Sequence, residues 1–259
     1  MITAAALCPS PPLLHPTLTG REAVVPELRA ACARAVSWLL RDDPGEIAVV
    51  GPAVATGEWD AAGRLDPAAF APGPDHPAAF APGVGGPRTR SAPLPLSLGL
   101  GALLLDRAGY RGRRRLLAVG QDESASTCAG LGARLGERPG SVALLVMGDG
   151  SARRSLKAPG YLDPRAAGFD AEVERAVRAG DLDSLLRLDQ DLARELMATG
   201  RAPWQVLAGA MRELAPVAEV RYRGDPFGVA YLVACLQPRA GPAGTGAGPG
   251  RPGPGSVVE

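Results

Sequence analysis

Lysine is almost missing from this chain: of 28 basic residues only Lys157 is one, and the rest are arginine. Together with 34 Gly and 26 Pro, this points to a high-GC coding bias, so the order of residues carries more meaning than their frequency. Histidine is nearly as scarce, with only His15 and His76 to serve as the base of any Ser-His-Asp triad. The four cysteines, Cys8, Cys32, Cys128 and Cys235, stand far apart and form no CxxC pair. Three lie in apolar patterns where buried free thiols are the ordinary outcome, which fits a reducing, cytoplasmic setting. Aromatic residues make up 4% of the chain, too few for a base-stacking platform. A net charge of +1 gives no global electrostatic reason to expect nucleic acid or a membrane as partner.

Other absences narrow the chemistry. The longest apolar run, Leu94 to Leu105, is too short and too rich in Gly and Pro to span a bilayer. MITAAALCPSPPLL has no basic n-region and runs into prolines, so it predicts a strand and not a signal peptide. There is no GxxxxGK[ST] loop, and GDGSAR lacks the third glycine of a dinucleotide fingerprint. Neither a G-x-S-x-G elbow around Ser151 nor an HExxH pair is present.

What remains is an alternation of apolar runs and amphipathic stretches. Strands are predicted at Ile2 to Leu7, Ile47 to Val50, Leu116 to Val119 and Ser141 to Met147. Helical periodicity covers Glu22 to Arg41, Leu94 to Arg107 and Ser124 to Leu135. It returns after residue 170, with Asp170, Asp181 and Asp191 as N-caps of three successive helices and Trp204 to Leu214 as a fourth. Val217 to Arg223 and Phe227 to Cys235 read as strands joined by Gly224-Asp225-Pro226. The expected fold is a three-layer α/β/α domain over residues 1–237, with a mixed central sheet and a C-terminal antiparallel hairpin. Two copies of PAAFAPG mark residues 60–93 as a Pro/Gly-rich insertion carrying His76, and residues 238–259 read as a disordered tail.

The stretch from Val146 to Asp170 follows a core strand, where open α/β sheets place ligands. Ser151, Arg153, Arg154, Ser155 and Lys157 cluster beside Gly148 and Gly150, whose N–H groups can form an anion nest. These side chains either line a pocket for a carboxylate or phosphate, or pair with acidic neighbours or point to water. Asp149 either caps its own turn or joins Cys8, His15 and Asp225 in a substitute metal site. His15, beside a strand exit, and Asp149 with Ser151 are the catalytic candidates.

Four segments carry a family resemblance. Cys8-Pro9-Ser10-Pro11-Pro12-Leu13-Leu14 resembles the Pro-His-Pro-Pro-hydrophobic opening of class III extradiol ring-cleavage dioxygenases and their Memo-like relatives, the LigB-like group. Gly51-Pro52-Ala53 is similar to their Ser-Pro-His. Gly148-Asp149-Gly150-Ser151-Ala152-Arg153, then Ala158-Pro159-Gly160-Tyr161 and Phe169-Asp170, resemble Gly-Asp-Leu-Ser-His-Arg, Ala-Pro-x-Gly-Tyr and Phe-Asp. Tyr222 to Tyr231 looks like their closing Tyr-Glu-Gly-Pro-Phe-Gly-Val-Gly-Tyr. The match fits an actinobacterial-type branch of the B-subunit-like family.

The resemblance implies a non-haem Fe(II) on two histidines and a carboxylate, with a further histidine as acid/base in ring cleavage. Here the ligand histidines fall on Ser10 and Ala53 and the acid/base histidine on Ala152. The terminal glutamate falls on Arg223, or on Gly224 if the gap is moved. Alanine has no donor and arginine repels a cation. The resemblance therefore implies a pseudoenzyme without metal or cofactor, which binds a small anionic or polar molecule or a partner at Ser10, Ala53, Asp149, Ser151, Ala152, Arg153, Lys157 and Arg223. Two alternatives stand beside it: an Fe2+-dependent extradiol dioxygenase with substitute ligands, and one completed by a partner subunit. Association into homo-oligomers is a further implication of the resemblance.

Overall fold

The computed structural model describes residues 1–19, 24–67 and 93–239. The duplicated PAAFAPG segment apart from Pro67, His76, and the tail from residue 240 lie outside the described residues.

Seven strands form one mixed sheet in the order β3-β4-β2-β5-β1-β7-β6. These are β1 (Ile2–Cys8), β2 (Glu46–Ala53), β3 (Gly57–Trp59), β4 (Arg113–Gly120), β5 (Val142–Met147), β6 (Val217–Gly224) and β7 (Tyr231–Gln237). β4, β2, β5 and β1 run parallel, while β3 and β7 are antiparallel to their neighbours and β6 pairs antiparallel with β7. Near-continuous apolar runs such as VALLVM suit strands covered on both faces.

Both faces are in fact covered. Alternate residues of the central strands pack on one side against α2 (Pro26–Leu39) and α3 (Leu96–Arg107). On the other side the sheet meets α4 (Ala125–Gly136), α5 (Ala166–Ala179), α6 (Leu182–Leu186), α7 (Gln190–Glu195) and α8 (Arg201–Met211). A one-turn helix, α1 (Pro16–Thr19), follows β1. The result is a three-layer α/β/α arrangement with an antiparallel C-terminal pair. Among the described residues no helix is long and apolar enough to cross a membrane.

Three local expectations need correction. The strand predicted from Phe227 begins only at Tyr231, because Pro226–Gly228 forms a 3-10 turn with Phe227 in the left-handed region at φ 61°. Asp191 is not a cap: Asp189 starts that helix by accepting from Leu192 N. Asp170 lies inside α5, which begins at Ala166, and its carboxylate is turned to another use. Ser124 and Asp181 do cap α4 and α6, accepting from Thr127 N and Ser184 N.

α4 and α8 approach so closely that glycine is required at their crossing. A Cβ on Gly132 would lie 2.0 Å from the carbonyl oxygen of Val206, and one on Gly209 would lie 2.2 Å from that of Ala129. Helix propensity alone favours alanine over glycine by about 1 kcal/mol. The backbone clash reverses that sign, so Gly132→Ala is expected to lower the urea midpoint of unfolding, whereas a propensity-governed site would raise it.

Candidate functional site

The carboxyl ends of β4, β2, β5 and β1 share one edge of the sheet. The chain leaves β1 and β2 toward the layer of α2 and α3, but leaves β5 toward the opposite layer. The exit of β5 is thus flanked on both sides by connections that turn the other way, which is how parallel sheets open a crevice. Gly148-Asp149-Gly150 stands at that point.

Hydrogen bonds hold this turn to three surrounding segments. Gly148 N donates to Cys8 O (3.0 Å), Gly150 N to Ala230 O (2.8 Å), and Gly200 N to Asp149 O (2.8 Å). Asp149 N donates to Thr199 Oγ1 at 3.2 Å, and Ser10 N donates to Asp149 Oδ1 at 2.7 Å. The glycines permit the approach: a Cβ on Gly148 would lie 2.5 Å from Gly200 Cα, and one on Gly150 2.7 Å from Asp170 Oδ1. Asp149 receives a single hydrogen bond in return for its desolvation. Burial pushes its carboxyl up to about 7, against the opposing pull of the Ser10 N–H.

Ser151 is fully buried, and both its N–H (2.8 Å) and its hydroxyl (2.5 Å) donate to the carboxylate of Asp170. Burial raises the Asp170 carboxyl, and the two Ser151 bonds oppose the rise. This pair ties the β5 exit to α5. With its proton committed to Asp170, the serine is a structural latch and not an exposed nucleophile. Ala152 is also buried, its N–H donating to Leu196 O at 2.9 Å.

Of the cations singled out from the sequence, Arg153 is consumed by backbone carbonyls: Nε meets Gly160 O at 2.6 Å and Nη1 meets Glu195 O at 2.9 Å. Lys157 is exposed and has no partner among the described residues. Arg223, 71% exposed, pairs with Glu174 of α5 at 2.8 Å. Arg154 pairs with Asp225 at 3.1 Å and lies 3.7 Å from Asp170. Arg154 and Arg223 are thus paired with acidic neighbours and Arg153 with backbone carbonyls. Arg154, Asp170, Glu174, Arg223, Asp225 and Tyr231 line a cavity of about 180 Å³ between α5 and the β6–β7 pair.

The remaining candidates lie apart. Ala53 ends β2, half-buried and paired with Gly120. Ser10 is buried and joins Asp149 through its backbone. His15 follows a 3-10 turn, and its Nδ1 accepts from Thr17 N at 3.3 Å. Burial, then Arg107 and Arg29, lower the His15 pKa; its charged neighbours are cations, not Asp149. Cys8 is buried on the α2 side against Cys32. Among the described residues, no three His, Cys, Asp or Glu side chains gather as a metal-holding group, so Cys8, His15, Asp149 and Asp225 do not form the substitute set. Sequence reading missed Glu174 and the true role of Asp170. The Phe169-Asp170 pair is visible in the sequence, but spacing alone makes its aspartate look like a helix cap, whereas the fold turns it onto Ser151.

No family model and no curated protein matches this sequence. A crystal structure of an uncharacterized protein from Escherichia coli K12 is similar in fold, with a TM-score of 0.55 and 14% identity over 91% of this chain and 99% of that one.

Two expectations follow. Between the carboxylate value 3.8 and about 7 the folded chain holds a proton on Asp149 that the unfolded chain releases, so this group costs stability as pH rises through that window. Asp149→Asn, which keeps the acceptor for Ser10, is expected to match the parent in thermal unfolding near the acid end of the window and to exceed it above the upper end. Asp170→Ala strands two buried donors of Ser151 and is expected to cost about 2–4 kcal/mol in denaturant unfolding.

Proposed function

We propose that this chain is a class III extradiol dioxygenase B-subunit-like protein, of the LigB/Memo-like group, that has given up its iron ligands and works by binding a small polar or anionic molecule. The carrying observation is the residue set at the carboxyl edge of the parallel strands. By the resemblance, the family's donor positions fall on Ser10, Ala53, Ala152 and Arg223, or on Gly224 if the gap is moved. Of these, Ala152 is buried and bonded through its backbone, and Arg223 is paired with a glutamate. What this end of the molecule retains is polar capacity: a carboxyl at Asp149 that burial pushes up to about 7, and a separate mixed-charge cavity between α5 and the β6–β7 pair. The charged groups that line this cavity are of the kind that recognise a polar ligand.

Native mass spectrometry of gently purified protein, with metal analysis on the same sample, tests this reading. The expected result is a co-purifying organic molecule and no stoichiometric iron or manganese. Iron at one per chain, with catechol cleavage, would replace this reading with a working ring-cleaving dioxygenase that uses other ligands or a partner subunit.

A further inference from the structure

We propose that the cavity between α5 and the β6–β7 pair binds a small molecule carrying an ammonium and a carboxylate on one short frame, the amino-acid class. This rests on the binding reading above and specifies the ligand. The walls hold two arginines, Arg154 and Arg223, and three carboxylates, Asp170, Glu174 and Asp225. An anion alone meets a wall with surplus negative charge. An ammonium alone leaves the unused N–H ends of both guanidinium groups without an acceptor. A ligand with both charges satisfies each side.

The donors needed for this are free. Arg223 gives Nη1 to Glu174, and its other two nitrogens have no partner among the described residues. Arg154 gives Nε to Asp225, which leaves its terminal nitrogens without a described partner. Two guanidinium groups with unused N–H ends can take a carboxylate by charge-assisted hydrogen bonds. On the acidic side, Asp225 accepts through Oδ2 alone and is half-exposed, so its other oxygen is open to an ammonium. Ala167, Ala171, Val173 and Leu232 supply an apolar wall for a short side chain. The volume of about 180 Å³ is below the roughly 300–1,000 Å³ of drug-sized pockets, which restricts the occupant to a small frame.

The test is a titration of the full-length ¹⁵N-labelled chain with glycine and L-alanine, with ethylamine and propionate as single-charge controls, reading the amide shifts of Gly224 and Ala230. The amino acids are expected to shift these amides and to bind about tenfold or more tightly than either control, the scale of one added charge-assisted hydrogen bond. Arg223→Ala and Asp225→Ala, both on exposed side chains, are expected to weaken binding by a similar factor while leaving the remaining spectrum intact. Ethylamine or propionate binding as tightly as L-alanine overturns the two-charge inference and leaves a binding protein for another class of polar molecule. Unchanged affinity in both variants overturns the location. No shift with any of the four compounds overturns the inference outright, and a co-purified molecule lacking one of the two charges does the same while preserving the broader reading.

Discussion

The structure depends on the turn at Gly148-Asp149-Gly150, where one strand end is bonded at once to β1, to the residues before α8, and to the residue before β7. A peptide group removed from water costs free energy unless it is paired, and each N–H in this turn finds a carbonyl, a carboxylate or a hydroxyl. The glycines make the pairing feasible, since a methyl group at either one would strike its neighbour. The loop that follows is then fixed by Ser151 on Asp170 and by Arg153 on the carbonyls of Gly160 and Glu195.

This arrangement explains how the carboxyl edge keeps a defined shape where, among the described residues, no metal-holding group gathers. In the LigB-like reading proposed above, the same loop would once have presented an acid/base side chain at Ala152. Its backbone would now be retained for scaffolding. The charged groups around it are arranged as compensated pairs, Arg154 with Asp225 and Arg223 with Glu174, and not as a one-sign field. Exposed pairs of this kind contribute little to stability, typically about 0–1 kcal/mol. Their better-supported role is to set the polarity of the cavity they border.

Much of the fold was legible because burial on both faces leaves a strong mark. The runs ITAAAL, IAVV, LLAV and VALLVM could hardly be anything but covered strands, and all four pair as parallel neighbours. The three-residue β3 was invisible, being too short to show a period of two. The late start of β7 was missed because Phe227, a good strand former, sits exposed in a left-handed turn closed by the Gly228 N–H on Asp225 O.

Sequence by itself determined the layered α/β architecture, the antiparallel finish and the identity of the loop on which polar side chains converge, because periodicity and turn chemistry are local properties. Tertiary structure alone decided what each of those side chains does. Asp170 as a latch, Arg153 as a carbonyl clamp, Arg223 as the partner of Glu174 and His15 among arginines all depend on segments far apart in the chain. A charged group's role is set by what lies within a few ångströms of it, and no spacing in the sequence encodes that distance.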